Sequence, residues 1–281
     1  MRVLDATVIE QAVYDLVLKA SYHIGSDVCA ALESAQMTEE SPAGLDVLKQ
    51  LLENNAIASR DQTPICQDTG MMVLFAEIGQ DVHIVGNGLE QAVEQGVRRA
   101  CKDGYLRKSV VSDPLFDRRN TGDNTPAVLH ARIMPGEQIS LLMVPKGFGS
   151  ENMSQIRMFP PSAGEAGVRD FIVEVVRQAG PNPCPPVIVG VGVGGTFEQC
   201  ALMAKRMTAR PVGSHHPDPR YAALEAECLR RINALGIGPA GLGGRTTALA
   251  VNIEDAPTHI AGMPVAVNIC CHAARHAQII L

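Results

Sequence analysis

Residues 187–207, VIVGVGVGGTFEQCALMAKRM, join a run of valine, isoleucine and glycine to a segment of helical periodicity. The first part has the β-branched content of a buried strand, which we place at 187–191. The second part predicts a helix over 197–207. A buried strand followed by a helix is typical of proteins that layer helices on a sheet. This stretch therefore indicates an α/β fold around it.

The same periodicities predict further elements on both sides. A capping box of Thr7 and Glu10 begins a helix whose apolar positions continue to residue 31, and Pro42 begins a second helix. We expect these two to form an N-terminal helical hairpin. Other helices are predicted at 89–100, 163–178 and 220–235, and strands at 71–78, 81–85, 127–134, 138–144, 246–253 and 264–269. The strands at 127–134 and 138–144 are predicted to pair as a hairpin.

These elements define a mixed α/β class, with mixed β-sheets, surrounding helices and the N-terminal helical hairpin. We expect one catalytic domain over residues 1–281, with a helical part at 1–60 and a mixed part at 61–281. No repeat or linker divides the chain.

The composition excludes several classes of protein. With 24 basic and 30 acidic residues the net charge is −6, which argues against a general nucleic-acid binder. No apolar run is long enough for a membrane span, and the first residues do not form a secretory signal. We therefore expect a cytoplasmic protein. Eight cysteines in 281 residues are too few for a disulfide-stapled scaffold, so the thiols are expected to be reduced.

The glycines of the opening stretch allow two interpretations. Gly190, Gly192 and Gly195 follow a strand and precede a helix with the spacing G-x-G-x-x-G, which is typical of a nicotinamide-dependent oxidoreductase. No acidic residue ends a second strand about 20 residues further on, as that motif requires. Close packing of the backbone explains the glycines equally well.

The cysteines fall into two groups by their neighbours. Cys66, Cys184 and Cys271 lie in polar or Gly/Pro-rich segments. The others, apart from Cys270 next to Cys271, lie within helical patterns and are expected in the core: Cys29, Cys101, Cys200 and Cys228. No C-x-x-C pair favours zinc. Three distant thiolates suit an iron–sulfur cluster that keeps one iron open, although spacing alone is weak evidence for it.

Polar residues in loops are candidates for binding an anion or moving a proton. Arg107, Lys146 and His259 could each meet a carboxylate, and Lys146 is followed by two loop glycines. Asp68 could act as a general acid or base, or its side chain could simply form a turn before Thr69 and Gly70. The pair His215 and His216 is either a polar loop or a metal ligand.

Long motifs carry a resemblance to a known family. They are PICQDTG (64–70), LRKS (106–109), NTGDNTP (120–126), KGFGSEN (146–152), CPPVIVGVG (184–192), RPVGSHHP (210–217) and GIGPAGLGG (236–244). Together they closely resemble the α subunit of the two-subunit, class I iron–sulfur fumarate hydratases. The chain is also similar to the α subunit of L-tartrate dehydratase, although the KGFGSEN loop looks closer to the fumarase type. Many relatives have Lys-Gly-Gly-Gly where this loop has Lys-Gly-Phe-Gly.

The resemblance implies a [4Fe–4S] cluster bound by Cys66, Cys184 and Cys271. Cys271 is preferred over Cys270 because it directly precedes a histidine, as the family ligand does. The implied substrate contacts are Gln67, Asp68, Arg107, Gly149 and His259, with Asp68 also a candidate catalytic residue in proton transfer. The implied reaction is the reversible hydration of fumarate to L-malate, in which an open iron acts as a Lewis acid without redox turnover.

The resemblance also implies a partner. In the single-chain fumarases a further domain supplies a threonine base and basic contacts to the substrate, so we expect a separate β subunit to supply them here, in an α2β2 heterotetramer. Besides that subunit we expect a small dicarboxylate as ligand, and neither nucleic acid nor membrane. A cluster-bearing scaffold without catalysis is a further alternative.

Overall fold

The computed structural model describes all residues, 1–281. The helices are α1 (Ala6–Tyr22), α2 (Ser26–Thr38), α3 (Pro42–Asp61), α4 (Leu89–Asp103), α5 (Phe148–Glu151), α6 (Gly164–Ala179), α7 (Phe197–Met207) and α8 (Pro219–Asn233). The strands are β1 (Arg2–Asp5), β2 (Met71–Gly79), β3 (Val82–Val85), β4 (Val128–Met134), β5 (Ile139–Lys146), β6 (Gln155–Phe159), β7 (Val187–Gly194), β8 (Ala248–Ala256), β9 (Met263–Cys270) and β10 (Ala277–Ile280). The predicted mixed α/β class is confirmed.

The chain divides into two compact units, each built from separate pieces of sequence. The first unit contains Met1–Gly25, Asn55–Phe148 and Arg275–Leu281, and the second contains Ser26–Asn54 and Gly149–Ala274. Each unit has its own four-stranded sheet and its own hydrophobic core.

In the first unit the sheet has the strand order β10-β5-β2-β4, and β1 pairs with β3 in a separate parallel ribbon. Helix α1 packs against α4 and shares one core with β2 and β5. The two helices approach closely at Gly96, where an added Cβ would lie 2.6 Å from the Glu10 carbonyl oxygen. Glycine is therefore required at this crossing.

The predicted hairpin of the fourth and fifth strands is wrong. Strand β2 lies between them, parallel to β4 and antiparallel to β5. The short Pro-Gly-Glu connection is compatible with a hairpin, but the inner positions of the sheet are taken by β2 and β5, which are mostly buried, and the more exposed β4 lies at the edge beside β2.

In the second unit the sheet has the order β6-β9-β7-β8, with β7 antiparallel to β9 and parallel to β8. The alternation of valine and glycine in β7 gives the strand two different faces. Val187, Val189 and Val191 pack with α6 and α8 in the main core. The glycine face receives α7, since a Cβ at Gly190 would lie 2.1 Å from the Ala204 carbonyl oxygen. The glycines thus let a helix lie directly on the strand.

The N-terminal helices differ from the prediction in their boundaries. The single helix expected from Thr7 to residue 31 is two helices, α1 and α2, separated by residues 23–25. The cap of α1 is Asp5, whose carboxylate accepts the Thr7 N–H at 2.8 Å, because the helix begins two residues earlier than the capping box suggested. The sequence patterns also missed β1, β6 and β10, which are only four or five residues long.

No helix combines the length and the apolar character needed to cross a bilayer.

Candidate active site

Asp68 has more contacts to the other polar site residues of the first unit than a turn-forming aspartate needs. One carboxylate oxygen accepts the Gly70 N–H at 3.0 Å and the Arg107 guanidinium at 3.3 Å, and the other accepts the Phe148 N–H at 3.0 Å. The Gly70 contact is the turn expected from local chemistry. The other two contacts show that the same carboxylate also gathers residues distant in sequence, which leaves it both fixed and paired with a cation.

Cys66 lies two residues before Asp68, on the segment between α3 and β2. Its side chain is half-buried. The sulfur accepts the Asp68 N–H at 3.4 Å and lies 3.4 Å from the Gln67 amide oxygen. The Asp68 N–H directed at this sulfur fixes its position on the segment, and a cysteine sulfur is the atom that binds the iron of a cluster.

Asn124 connects this segment to the loop at 107–126. It is completely buried; its amide donates to the Gly70 carbonyl at 3.1 Å and its oxygen accepts the Ser109 N–H at 2.7 Å. Asn124 belongs to the NTGDNTP motif, and its position in the sequence alone did not indicate a role. Its bonds hold Arg107 and Asp68 on neighbouring segments, so the motif builds the site rather than contacting a ligand.

Two buried cations belong to the same unit. Lys146, at the end of β5, is 1% exposed, so it is not a solvated surface charge. Arg275 is 3% exposed and donates to the Asp68 carbonyl at 2.8 Å. Arg275 was not predicted, because one arginine after the third cysteine motif carries no signal in the sequence. Arg275 and Arg107 both contact Asp68, so two guanidinium groups lie next to this residue.

Cys184 lies in the second unit, on the turn that precedes β7. Its side chain is exposed, and its backbone has a φ of 54°, a left-handed conformation that is uncommon for a residue other than glycine. Its N–H donates to the Pro181 carbonyl at 3.1 Å. Such a conformation at an exposed thiol is a reason to suspect function.

Cys271 follows β9 and lies at the same end of the sheet as Cys184. Strand β9 ends at Cys270, which pairs with Ile188 next to the start of β7, and the His272 N–H donates to the Cys184 carbonyl at 3.3 Å. Cys270 is 6% exposed within the strand, whereas Cys271 is half-buried beyond it. The accessible thiol of the pair is Cys271.

Gly149 and His259 lie at opposite ends of the second unit. Gly149 is near the Cys184 turn, with its Cβ direction 3.9 Å from the Asn182 carbonyl oxygen. His259 is exposed on the β8–β9 loop, where the neighbouring Thr258 hydroxyl donates to the Gly195 carbonyl at 2.9 Å. This is the far end of β7, about 20 Å of strand away from Ile188, the residue that pairs with Cys270. Within this unit, His259 is therefore not brought together with Cys184 and Cys271.

The cysteines expected in the core have a different environment. Cys101, Cys200 and Cys228 are completely buried, and burial raises the pKa of these thiols to about 11, 11 and 12. Burial also raises the pKa of Cys29, which is half-buried. High pKa values and poor access make the thiols of Cys101, Cys200 and Cys228 unsuitable as metal ligands or nucleophiles. Cys29 lies in helix α2 but is only half-buried, so its expected place in the core is wrong.

The glycine motif does not form a nucleotide site. Gly190 and Gly192 face α7, and a Cβ at Gly192 would lie 2.2 Å from the Cys200 carbonyl oxygen. The space above these glycines is occupied by a helix, so the packing interpretation accounts for the motif and the nicotinamide interpretation loses its support.

His216 belongs to a polar loop and not to a metal site. Its two ring nitrogens contact the Asp255 carboxylate and the Asp218 N–H, each at 3.0 Å.

The thiols fit an iron–sulfur cluster better than a single ion. No three His, Cys, Asp or Glu side chains gather into a site for one metal ion. A cluster does not require its ligands to meet at one ion, because each thiolate binds a different iron. Cys66, Cys184 and Cys271 are all accessible and all on connecting segments, and Cys66 has a backbone N–H on its sulfur. This is the donor chemistry that a cluster requires.

Comparison with known proteins supports a hydro-lyase. The family model described as fumarate hydratase (Fumerase) matches residues 10–280. The chain is 39% identical over 274 residues to the "Putative L(+)-tartrate dehydratase subunit alpha" of Methanocaldococcus jannaschii, covering 96% of each chain. It is 32% identical over 265 residues to the L(+)-tartrate dehydratase subunit alpha of Escherichia coli strain K12, covering 93% of this chain and 86% of that one. The chain belongs to the fumarate hydratase family of iron–sulfur hydro-lyases, among their α-type subunits.

Proposed function

We propose that this chain is the α subunit of a [4Fe–4S] hydro-lyase that removes water from a 2-hydroxy dicarboxylate, and that its substrate is L-tartrate. The proposal is carried by one observation, the grouping of an accessible thiol, a fixed carboxylate and an exposed guanidinium on Cys66, Asp68 and Arg107. The relatives described above, which are named for L-tartrate dehydration, support that substrate.

The cluster is held by Cys66, Cys184 and Cys271 and, when bound, supplies an electrophile for the departing hydroxyl group. The protein's own residues then have three tasks: to bind the carboxylates, to fix the substrate and to move a proton.

Arg107 binds a substrate carboxylate. More than half of its side chain is exposed, and its planar fork offers several N–H groups besides the one on Asp68. Gln67, also exposed, offers an amide to the substrate next to the Cys66 thiol. The exposed backbone at Gly149 leaves room for the substrate beside the Cys184 turn.

Asp68 moves a proton at its carboxylate. The Gly70 and Phe148 N–H groups hold its two oxygens in place, and Arg107 stabilises its negative charge. A carboxylate fixed in this way exchanges a proton with the substrate without first having to reorganise.

A β subunit supplies the remaining groups, including the second acid or base, and assembles with this chain as an α2β2 heterotetramer. Elimination of water takes a proton from one carbon and delivers a proton to the hydroxyl that departs from the neighbouring carbon, and Asp68 alone does not perform both transfers. His259 lies at the opposite end of its sheet from Cys184 and Cys271. In this proposal it contacts the substrate only through assembly with a second chain.

A second candidate substrate is L-malate, which yields fumarate. The matching family model carries the name of that reaction, and the KGFGSEN loop resembles the fumarase type. The two reactions share the same elimination and differ in one hydroxyl group on the substrate.

The test is anaerobic co-expression of this chain with a β-type subunit from the same genome. We expect the purified complex to dehydrate L-tartrate with a higher kcat/KM than L-malate, and this chain alone to be inactive with an intact cluster. A preference for L-malate would establish the second candidate instead. Activity of the lone chain, or a cluster-loaded complex inactive on both acids, would refute the proposal.

A further inference from the structure

Glu39 is a buried carboxylate that no catalytic step uses. It lies in the second unit between α2 and α3, and its side chain is 6% exposed. One oxygen accepts the backbone N–H groups of Glu40 and Ser41, at 2.9 and 3.0 Å. Both oxygens accept the Arg245 N–H, and one also accepts the Thr246 N–H at 3.0 Å. This arrangement is a cradle for the negative charge, built only from the backbone.

The electrostatics of the cradle favour the charged form. Burial by itself would raise the pKa of Glu39, but the four backbone donors outweigh it and hold the pKa below its ordinary value. The carboxylate therefore forms hydrogen bonds of the stronger, charge-assisted kind.

The segment that Glu39 holds is the glycine-rich loop at 236–246. Gly244 has a φ of 130°, and a Cβ there would lie 2.6 Å from a Glu39 carboxylate oxygen. Five glycines and Ala240 in this loop have positive φ. A loop of this kind is intrinsically mobile, because glycine has the widest conformational freedom of any residue, and it needs an external anchor to keep one shape.

The loop in turn holds both sides of Cys184. The Ala240 N–H donates to the Pro185 carbonyl at 2.8 Å. Gly241 lies against Pro181, so closely that a Cβ there would be 2.2 Å from the proline Cβ. The residue between these two contacts is Cys184, which has the left-handed backbone described above.

We propose that Glu39 is a positioning residue for Cys184: through the 236–246 loop it fixes the turn that presents this thiol. The effect of Glu39 on the enzyme rests on the proposed role of Cys184 as a cluster ligand. The fixing of the turn around Cys184 is a property of the chain itself and does not depend on that role. Glu39 touches neither substrate nor iron.

The test uses the full chain without cluster and measures hydrogen exchange by mass spectrometry. In Glu39→Gln we expect the peptides covering 181–187 to exchange roughly tenfold faster, because one charge-assisted hydrogen bond is worth about that factor or more in local opening. Peptides covering 64–70, which belong to the first unit, should not change. The matched control is Glu40→Gln, which removes an equal charge from the adjacent residue, whose carboxylate forms an exposed ion pair with Arg245.

A second variant covers the case in which Glu39→Gln does not fold. Gly241→Ala acts directly on Pro181 and leaves Glu39 intact, and we expect the same local increase in exchange. In the complex with a β subunit, both variants should retain less iron and sulfide than the wild type after anaerobic gel filtration.

The inference is overturned if exchange rises only at 236–247, since the loop would then not transmit order to Cys184. It is also overturned if exchange rises equally throughout the second unit. A wild-type chain that never binds a cluster would refute the proposed function and leave the exchange result to decide the positioning role.

Discussion

The surroundings of Asp68 and the cysteine end of the second sheet are built in different ways. Around Asp68, polar side chains make the connections: the Asp68 carboxylate accepts the Arg107 guanidinium and two backbone N–H groups, and the buried Asn124 amide joins two backbone segments. At the cysteine end, Cys184 and Cys271 are presented by backbone shaped by glycine and proline. The first region is suited to binding charge and moving protons, and the second to holding thiols in fixed positions.

The difference predicts how each region responds to mutation. A changed side chain near Asp68 alters electrostatics while the backbone keeps its shape. A changed side chain at the cysteine end matters only if it is a ligand or if it fixes the backbone.

The largest effect is expected at the thiols. Cys66→Ala, Cys184→Ala and Cys271→Ala should each abolish the visible cluster absorbance and the activity of the complex, because each removes one of three ligands. Cys270→Ala and Cys101→Ala are the controls and should keep the absorbance, since both thiols are buried. Loss of the cluster in Cys270→Ala with retention in Cys271→Ala would reverse the ligand assignment.

A smaller effect is expected for Asp68→Asn in the complex. The amide is similar in shape but cannot exchange the proton, so kcat should fall by roughly 10²–10⁴ while the cluster absorbance stays unchanged. Asp117→Asn, in the exposed part of the 107–126 loop, should behave as the wild type. If kcat of Asp68→Asn is unaffected, the carboxylate only binds and does not transfer the proton.

The smallest effect is expected at Asp123, next to Asn124, and concerns the stability of the fold in acid. Partial burial works to raise the pKa of Asp123, but the Thr125 N–H and hydroxyl and the Arg98 guanidinium outweigh it and lower the pKa to about 2. The charged form therefore stabilises the fold above about pH 3.8, and this contribution is lost as the pH falls towards 2.

Urea unfolding of Asp123→Asn checks this expectation. At pH 6 the variant should be less stable than the wild type by about 1 kcal/mol, since the ion pair is partly exposed. The difference should shrink as the pH is lowered below about 3.8. A difference that does not depend on pH would show that the carboxylate acts by shape and not by charge.

Prediction from the sequence was most accurate where an element had a strong period of its own. Helix α7 was predicted with its observed bounds, and the strands that became β2, β7 and β9 were placed within a few residues. The prediction of a β4–β5 hairpin was wrong because the pairing of strands depends on which strands are buried in the middle of the sheet. The turn between two strands does not carry that information.

The sequence by itself determined the mixed α/β class, the separation of core thiols from accessible ones and the family, because these depend on local pattern and on long motifs. Only the tertiary structure decided that the glycines of β7 receive a helix, that Asn124 and Arg275 belong to the surroundings of Asp68, and that His259 lies far from Cys184 along its sheet. The physical reason is that such contacts join residues distant in sequence, whose positions are set by packing and not by the residues next to them.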